Sequence, residues 1–415
     1  MIDQALLETT LTTATSRGGE FAEIFVEDRQ SSGALLDDDR IEELSSGRSR
    51  GAGIRVLVGE STGFAHTADL SESGLVAAAK AAADAARDGT GGVTTVDLST
   101  QTVASPSPVS IYPDSVTKQR KVELLNLANA AARGVGDSIS QVSVGYGDVR
   151  RRIQIANSDG LLTGDDQVKT RFSVSCVANG DAGMQTGRES VGHSMGFELF
   201  DQYDVTELAR KAAQRAVTKL LARPAPSGEV TTVIGKGGGG VLFHEACGHG
   251  LEADHVHKQA TVFAGRVGEL VASPLVTLID DGTMAHEWGA YAVDDEGRPA
   301  QRNVLIEDGI LLDFMWDELS ARRDGRPSSG NGRRQSYKHL PMVRMTNTYI
   351  ANGETDPSEI IADTDSGIFV AQLGGGQVNT VNGDFVFGMT EAYLCLLYTS
   401  PSPRDATLSR MPSSA

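Results

Sequence analysis

The densest chemistry in the chain lies in one short run, His244-Glu-Ala-Cys-Gly-His249. Four of the eight histidines fall between 244 and 257: His244, His249, His255 and His257. Neutral imidazole nitrogens are good zinc ligands, and a glutamate beside the first of them can act as general base on a metal-activated water. The zincin pattern spaces its histidines at i and i+4, on one face of a helix. Here the spacing is i and i+5, which in a regular α-helix turns the second side chain by about 140° from the first. Both imidazoles reach one ion only if the helix widens locally. A π-type turn does this, and Gly248 lowers the cost of the distortion. Taken alone, the motif also fits a solvated helix face. The lead-in, Gly237 to Gly240, lets a ligand approach the backbone. It is not a P-loop, because Lys236 is followed by Gly and the four-residue spacer is missing.

The elements that must position this run read as follows. Ile2–Ser16 is a short helix, and Glu20–Asp28 and Gly53–Gly59 are strands. Ser71 or Ser73 caps an Ala-rich helix from Leu75 to Arg87, with a stop at Asp88-Gly89. A further helix runs from Ser115 to Arg133. Strands at Ile139–Tyr146, Arg151–Ala156 and Lys169–Ala178 follow, with a turn at Asn157–Gly160 after the second. Asp204 with Glu207 opens a helix to about Leu221 in the manner of a capping box. Residues 222–228 are rich in Pro and Gly and serve as a linker. Beyond it come strands at Glu229–Ile234, Pro274–Ile279, Asn303–Ile306, Gly367–Gln372 and Gly383–Leu394, with a helix over Val241–Leu251. Asp308-Gly309 and Asn382-Gly383 are hairpin signals. The expected class is α+β: two domains, mainly antiparallel sheets with flanking helices, and the His-Glu-x-x-x-His helix in the C-terminal one. The expected boundaries are 1–221, the linker 222–228, and 229–394.

The composition bounds the function. The 415 residues carry 37 Lys+Arg against 55 Asp+Glu, a net charge of −18, which argues against a direct nucleic-acid partner. Three cysteines, Cys176, Cys247 and Cys395, build no disulfide framework and suit a reducing compartment. No basic segment followed by an apolar run opens the chain, and no apolar stretch is long enough for a bilayer. The expectation is a cytoplasmic protein with no membrane partner.

Leu242-Phe-His-Glu-Ala-Cys-Gly-His-Gly-Leu-Glu-Ala-Asp254 resembles the signature of the TldD/PmbA metallopeptidases. Similar blocks stand at Gly265–Pro274, Asp294–Gly297, Arg334–Tyr337, Pro341–Thr348 and Phe385–Glu391. In the first half Gly51–Arg55 and Thr62–Ala65 add to them. The resemblance is to the TldD branch, since the PmbA-like subunit generally lacks the His-Glu-x-x-x-His motif. It implies a zinc-dependent peptidase acting on short or unfolded peptides, as a homodimer or a heterodimer with a PmbA-like subunit. It implies His244 and His249 as zinc ligands and Glu245 as general base. Arg333, Arg334, Tyr337 and His339 could line a peptide site. The alternative is a non-catalytic peptide-binding or scaffold subunit. The third ligand of this branch is a cysteine in a Gly-rich C-terminal segment, expected after Leu394. Residues 395–415 lose all periodicity. Cys395–Asp405 is also the translation of a transposase-type sequencing adapter. We therefore expect a non-native tail there, Cys395 not to be the third ligand, and the chain as given to be weakened or inactive. Cys247 is expected to pack rather than ligate.

Overall fold

A computed structural model describes residues 1–86, 95–181, 183–236, 238–396 and 408–409. The expected Asp88-Gly89 stop, Gly237 and most of the 395–415 tail lie outside these. The first half is organised by seven strands: β1 (Phe21–Asp37), β2 (Arg40–Val58), β3 (Ser61–Thr67), β4 (Ser99–Thr100), β5 (Ile139–Asn157), β6 (Leu161–Gly180) and β7 (Gly183–His193). Their order is β3-β2-β1-β5-β6-β4, with β7 also on β6. All pairs are antiparallel except β4 with β6.

These strands are far longer than their apolar runs. The β1–β2 hairpin extends the Glu20–Asp28 and Gly53–Gly59 strands through a polar stretch to a turn at Asp38 and Asp39, both left-handed with φ of 47° and 69°. Residues 42–50 are exposed throughout, so no apolar alternation announced them. The two strands expected at 139–146 and 151–156 are one strand. Ser, Gly and Arg residues between them keep the ladder with β1 and β6. β7 was not foreseen.

Helices α1 (Gln4–Ala14) and α2 (Glu72–Ala85) pack Leu7, Leu11, Leu75 and Ala79 onto β1 and β2. Helices α3 (Lys118–Arg133) and α4 (Val205–Lys219) pack Leu125, Ala128, Ala209 and Ala213 onto β5 and β6, with Cys176 in the same core. Ser71 caps α2 by accepting from the Gly74 N–H at 3.3 Å. At α4 the Asp204 carboxylate accepts from the Thr206 N–H at 2.8 Å, while Glu207 pairs with Lys211 rather than closing a capping box.

In the second half Leu278–Asp281 is flanked by Arg302–Glu307 and Thr348–Ile350, and Ile310–Leu311 closes the hairpin at Asp308-Gly309. A second sheet pairs Ser366–Asn379 with Asp384–Leu396 antiparallel and with Thr232–Ile234 parallel. Cys395 is buried in it, opposite Gly367. The class is α+β with antiparallel sheets, as expected.

The two halves meet over Phe25, Ile153, Ile155, Val293 and Tyr337. A buried charge network surrounds this contact. Arg55 bridges Glu23 at 3.1 Å and Glu296 at 2.7 Å. Arg151 bridges Glu27 at 2.6 Å and Asp295 at 2.7 Å. Charges this deeply buried are tolerated only when paired and hydrogen-bonded, so the network fixes how the halves dock.

Candidate metal centre

The outer strand Thr232–Ile234 leads into a helical run that changes pitch along its length. Gly238–Phe243 is α-helical. At His244–Gly248 the helix widens to a π turn, in which the His249 N–H donates to the His244 carbonyl. A tight turn, His249–Leu251, and a short helix, Ala253–His257, follow. The five-residue closure is the one the i, i+5 spacing needs. It brings the two imidazoles to a centroid separation of 4.7 Å, with their planes 80° apart. One ligand atom from each of His244, Glu245 and His249 lies within 4.8 Å of the others.

Packing holds this shape. A Cβ on Gly248 would overlap the Met345 sulfur, so the helix can lie this close only as glycine. Leu251 and Ala253 exchange backbone hydrogen bonds with Met315 at 2.9 and 3.0 Å. Phe243 and Cys247 pack against the core around Leu251, Trp316 and Met345. Cys247 therefore faces the core, and burial raises its thiol pKa.

Electrostatics separate the two histidines. Glu252, fully buried, receives the His249 Nδ1 at 3.2 Å, and its other oxygen accepts from the Arg344 guanidinium at 3.1 Å. The hydrogen bond to Glu252 raises the His249 pKa against the effect of burial. Burial, then the neighbouring His249, lowers that of His244. With the Nδ1 proton on the Glu252 side, the His249 Nε2 keeps its lone pair for a metal. Asp280 adds its field at His244 and is pinned by Asn331 at 2.7 Å and by Thr346 and Thr348 at 2.8 Å. Two imidazoles, one carboxylate and a carboxylate-anchored tautomer form a donor set that fits zinc.

The sequence-derived candidates divide. His244, Glu245 and His249 come together. Glu252 and Arg344 were missed; Glu252 lies three residues after His249, one helical turn on, which is the signal that could have found it. His255 approaches Glu252 at 3.7 Å and, with Asp254, forms a second cluster sharing that residue. His257 bonds Asp324 at 3.0 Å. Among the described residues, no hydrogen bond or ion pair joins Arg334, Tyr337 or His339 to the histidine cluster. Arg334 is buried in the charge network, paired with Glu23 and donating to the His339 carbonyl at 2.9 Å. Tyr337 is buried at the contact between the halves, its N–H on Glu27 at 3.1 Å. His339 is exposed and bonds Ser336 at 2.9 Å.

Three domain descriptions of one family match in order along the chain. They are PmbA/TldA metallopeptidase domain 1 (residues 22–86), the central domain (111–220) and the C-terminal domain (227–396). The Haemophilus influenzae protein named metalloprotease TldD homolog is 38% identical, over 91% of this chain and 80% of its own. A Saccharolobus solfataricus protein named zinc metalloprotease TldD homolog is 26% identical, over 92% of this chain and 83% of its own. The crystal structure of TldE from Thermococcus kodakarensis shares the fold, with a TM-score of 0.78 at 22% identity over 98% of this chain and 89% of that one. With the widened helix, its two imidazoles and the matches running from residue 22 to 396, the chain belongs to the PmbA/TldD family of metallopeptidases.

Proposed function

We propose that this chain is a cytoplasmic, zinc-dependent peptidase subunit that hydrolyses short or unfolded peptides. The observation that carries the reading is the π turn, which gathers His244, Glu245 and His249 within 4.8 Å. His244 and His249 would hold the zinc. When bound, the metal supplies Lewis acidity, acidifying a water and polarising the scissile carbonyl. Glu245 takes the water's proton and returns it to the leaving amine. Glu252 keeps His249 in its ligating tautomer. The third protein ligand is the one the family resemblance places beyond Leu394. The names of the relatives support a metalloprotease, and one of them supports zinc.

The strand Thr232–Ile234 stands at the end of its sheet, immediately before the metal helix. Among the described residues no strand pairs with its outer edge, which can take an extended peptide by strand addition and so favours unfolded substrates. The subunit assembles as a dimer, with a second copy or a PmbA-like subunit, as the family resemblance implies. Among the described residues no helix is long and apolar enough to cross a membrane. The test is cleavage of an unstructured peptide library by the zinc-loaded protein. Cleavage should stop with a chelator and return with added zinc. A chain that binds no zinc and cleaves nothing would instead be a non-catalytic scaffold subunit.

A further inference from the structure

On one face of the seven-stranded sheet, cations outnumber the acids that could pair with them. Directly opposed residues share a face, so the ladders place Arg29, Arg151 and Gln167 in one row. Ser31, Val149 and Lys169 form the next, and Gly33, Gly147 and Arg171 the one after. Arg333 reaches the same space from the second half. Two adjoining cavities of about 620 and 260 Å³ open here, and both are lined by Arg29, Val149, Lys169 and Trp288. Among the described residues Arg29, Lys169, Arg171 and Arg333 have no ion-pair partner.

The acids that line the cavities are mostly committed. Asp295 is held by Arg151 at 2.7 and 3.0 Å, and Asp148 by Lys121 at 2.8 Å. Asp294 accepts backbone N–H groups of Glu296, Arg298 and Gly332 at 2.9, 2.8 and 2.9 Å. Only Glu43, near the Leu35 end, is unpaired. Glycines make the floor: a Cβ on Gly147 would come within 3.2 Å of the Arg171 Nε. Trp288 is 44% exposed, and the Lys169 ammonium sits 5.1 Å from its ring centre. Burial, then Arg333 and Arg151, push the Lys169 pKa down to about 8, a sign of how closely the cations converge.

We propose that this cationic groove binds carboxylates of an acidic, extended peptide segment of the substrate. The proposal rests on the peptidase reading and adds a preference to it. Lys169 and Arg171 are alternate residues on one strand, roughly 6.6 Å apart at ~3.3 Å per residue. Alternate carboxylates of an extended peptide have the same spacing and would face them in register. Trp288 packs the apolar part of the ligand. A long polyanion is a poor occupant, because the chain's net charge of −18 repels it outside the groove. A short acidic segment sits within the Debye length of ~8 Å, where the local cations dominate.

The test uses the Glu245→Gln chain, so that nothing is cleaved, and Trp288 fluorescence as readout, with Trp288→Phe confirming its source. The probe is a capped heptapeptide with glutamate at every second position, compared with its glutamine counterpart. The glutamate peptide should saturate the signal at least tenfold more tightly. The double variant Lys169→Gln, Arg171→Gln should weaken it by tenfold or more, while Lys169→Arg retains it. Equal binding of the two peptides, or unchanged binding by a folded double variant, overturns the proposal. A native chain that binds no zinc would instead count against the peptidase reading, and the fluorescence result would still decide this one.

Discussion

Replacing Glu252 by Gln removes a charge from a fully buried position while keeping its shape. The carboxylate has three neighbours: the His249 Nδ1 at 3.2 Å, the Arg344 guanidinium at 3.1 Å and the His255 Nε2 at 3.7 Å. The bond to His249 sets its tautomer and strengthens its other nitrogen as a donor, and losing such a partner typically weakens metal binding by about 10–100-fold. That corresponds to about 1.4–2.7 kcal/mol of zinc affinity. Breaking a fully buried ion pair costs about 3–5 kcal/mol of stability, but the cost here falls below that range, because Arg344 is 35% exposed and water replaces part of the lost contact. Zinc competition against a chromophoric chelator measures the first effect, and the denaturant midpoint of the metal-free protein measures the second. Arg344→Met is the control. It loses the guanidinium bond, keeps the His249 bond, and should change zinc affinity less than Glu252→Gln does. If Glu252→Gln holds zinc as tightly as the native chain, the orienting role assigned to Glu252 is wrong.

Three further outcomes follow from the packing. Gly248→Ala drives a Cβ into the Met345 sulfur; it should cost about 1–3 kcal/mol by overpacking and reduce zinc binding. Adding Met345→Ala should recover part of both, as read in a double-mutant cycle. Arg334→Ala takes from Glu23 one of its two buried guanidinium partners and leaves it Arg55 at 3.1 Å, so it should destabilise the fold in denaturant titrations by less than the about 3–5 kcal/mol that a fully orphaned buried charge costs. A stable Arg334→Ala protein with a raised KM would instead support the substrate-binding role expected from the sequence. Ser71→Ala, which removes the α2 cap, should cost about 1 kcal/mol and leave zinc binding untouched.

The widened turn was legible because its signal is local. The i, i+5 spacing with glycine before the second histidine demanded a widened turn, and the turn is there. Glu252 was less visible, because an acidic residue near a helix end is ordinary until burial shows what it holds. The reach of β1 and β2 was hidden for another reason. Their outer halves, such as Arg40–Arg50, carry no apolar alternation, and their order comes from cross-strand pairing that a single segment does not display. Arg334 and Tyr337 looked like exposed chemistry in a Gly- and Arg-rich loop. The structure instead uses them between the halves, against Glu23, Glu27 and Phe25. Long-range charge pairing of this kind leaves no periodic trace in the sequence. The hairpin turns at Asp308-Gly309 and Gly383 were readable, since left-handed backbone selects those residues.

The most direct measurement is Glu245→Gln, assayed in parallel for zinc content and for hydrolysis of an unstructured peptide. The account predicts zinc content equal to that of the native chain and a rate lower by about 10²–10⁴-fold, the loss expected for a general base. A Glu245→Gln protein that cleaves at the native rate while retaining zinc would contradict it.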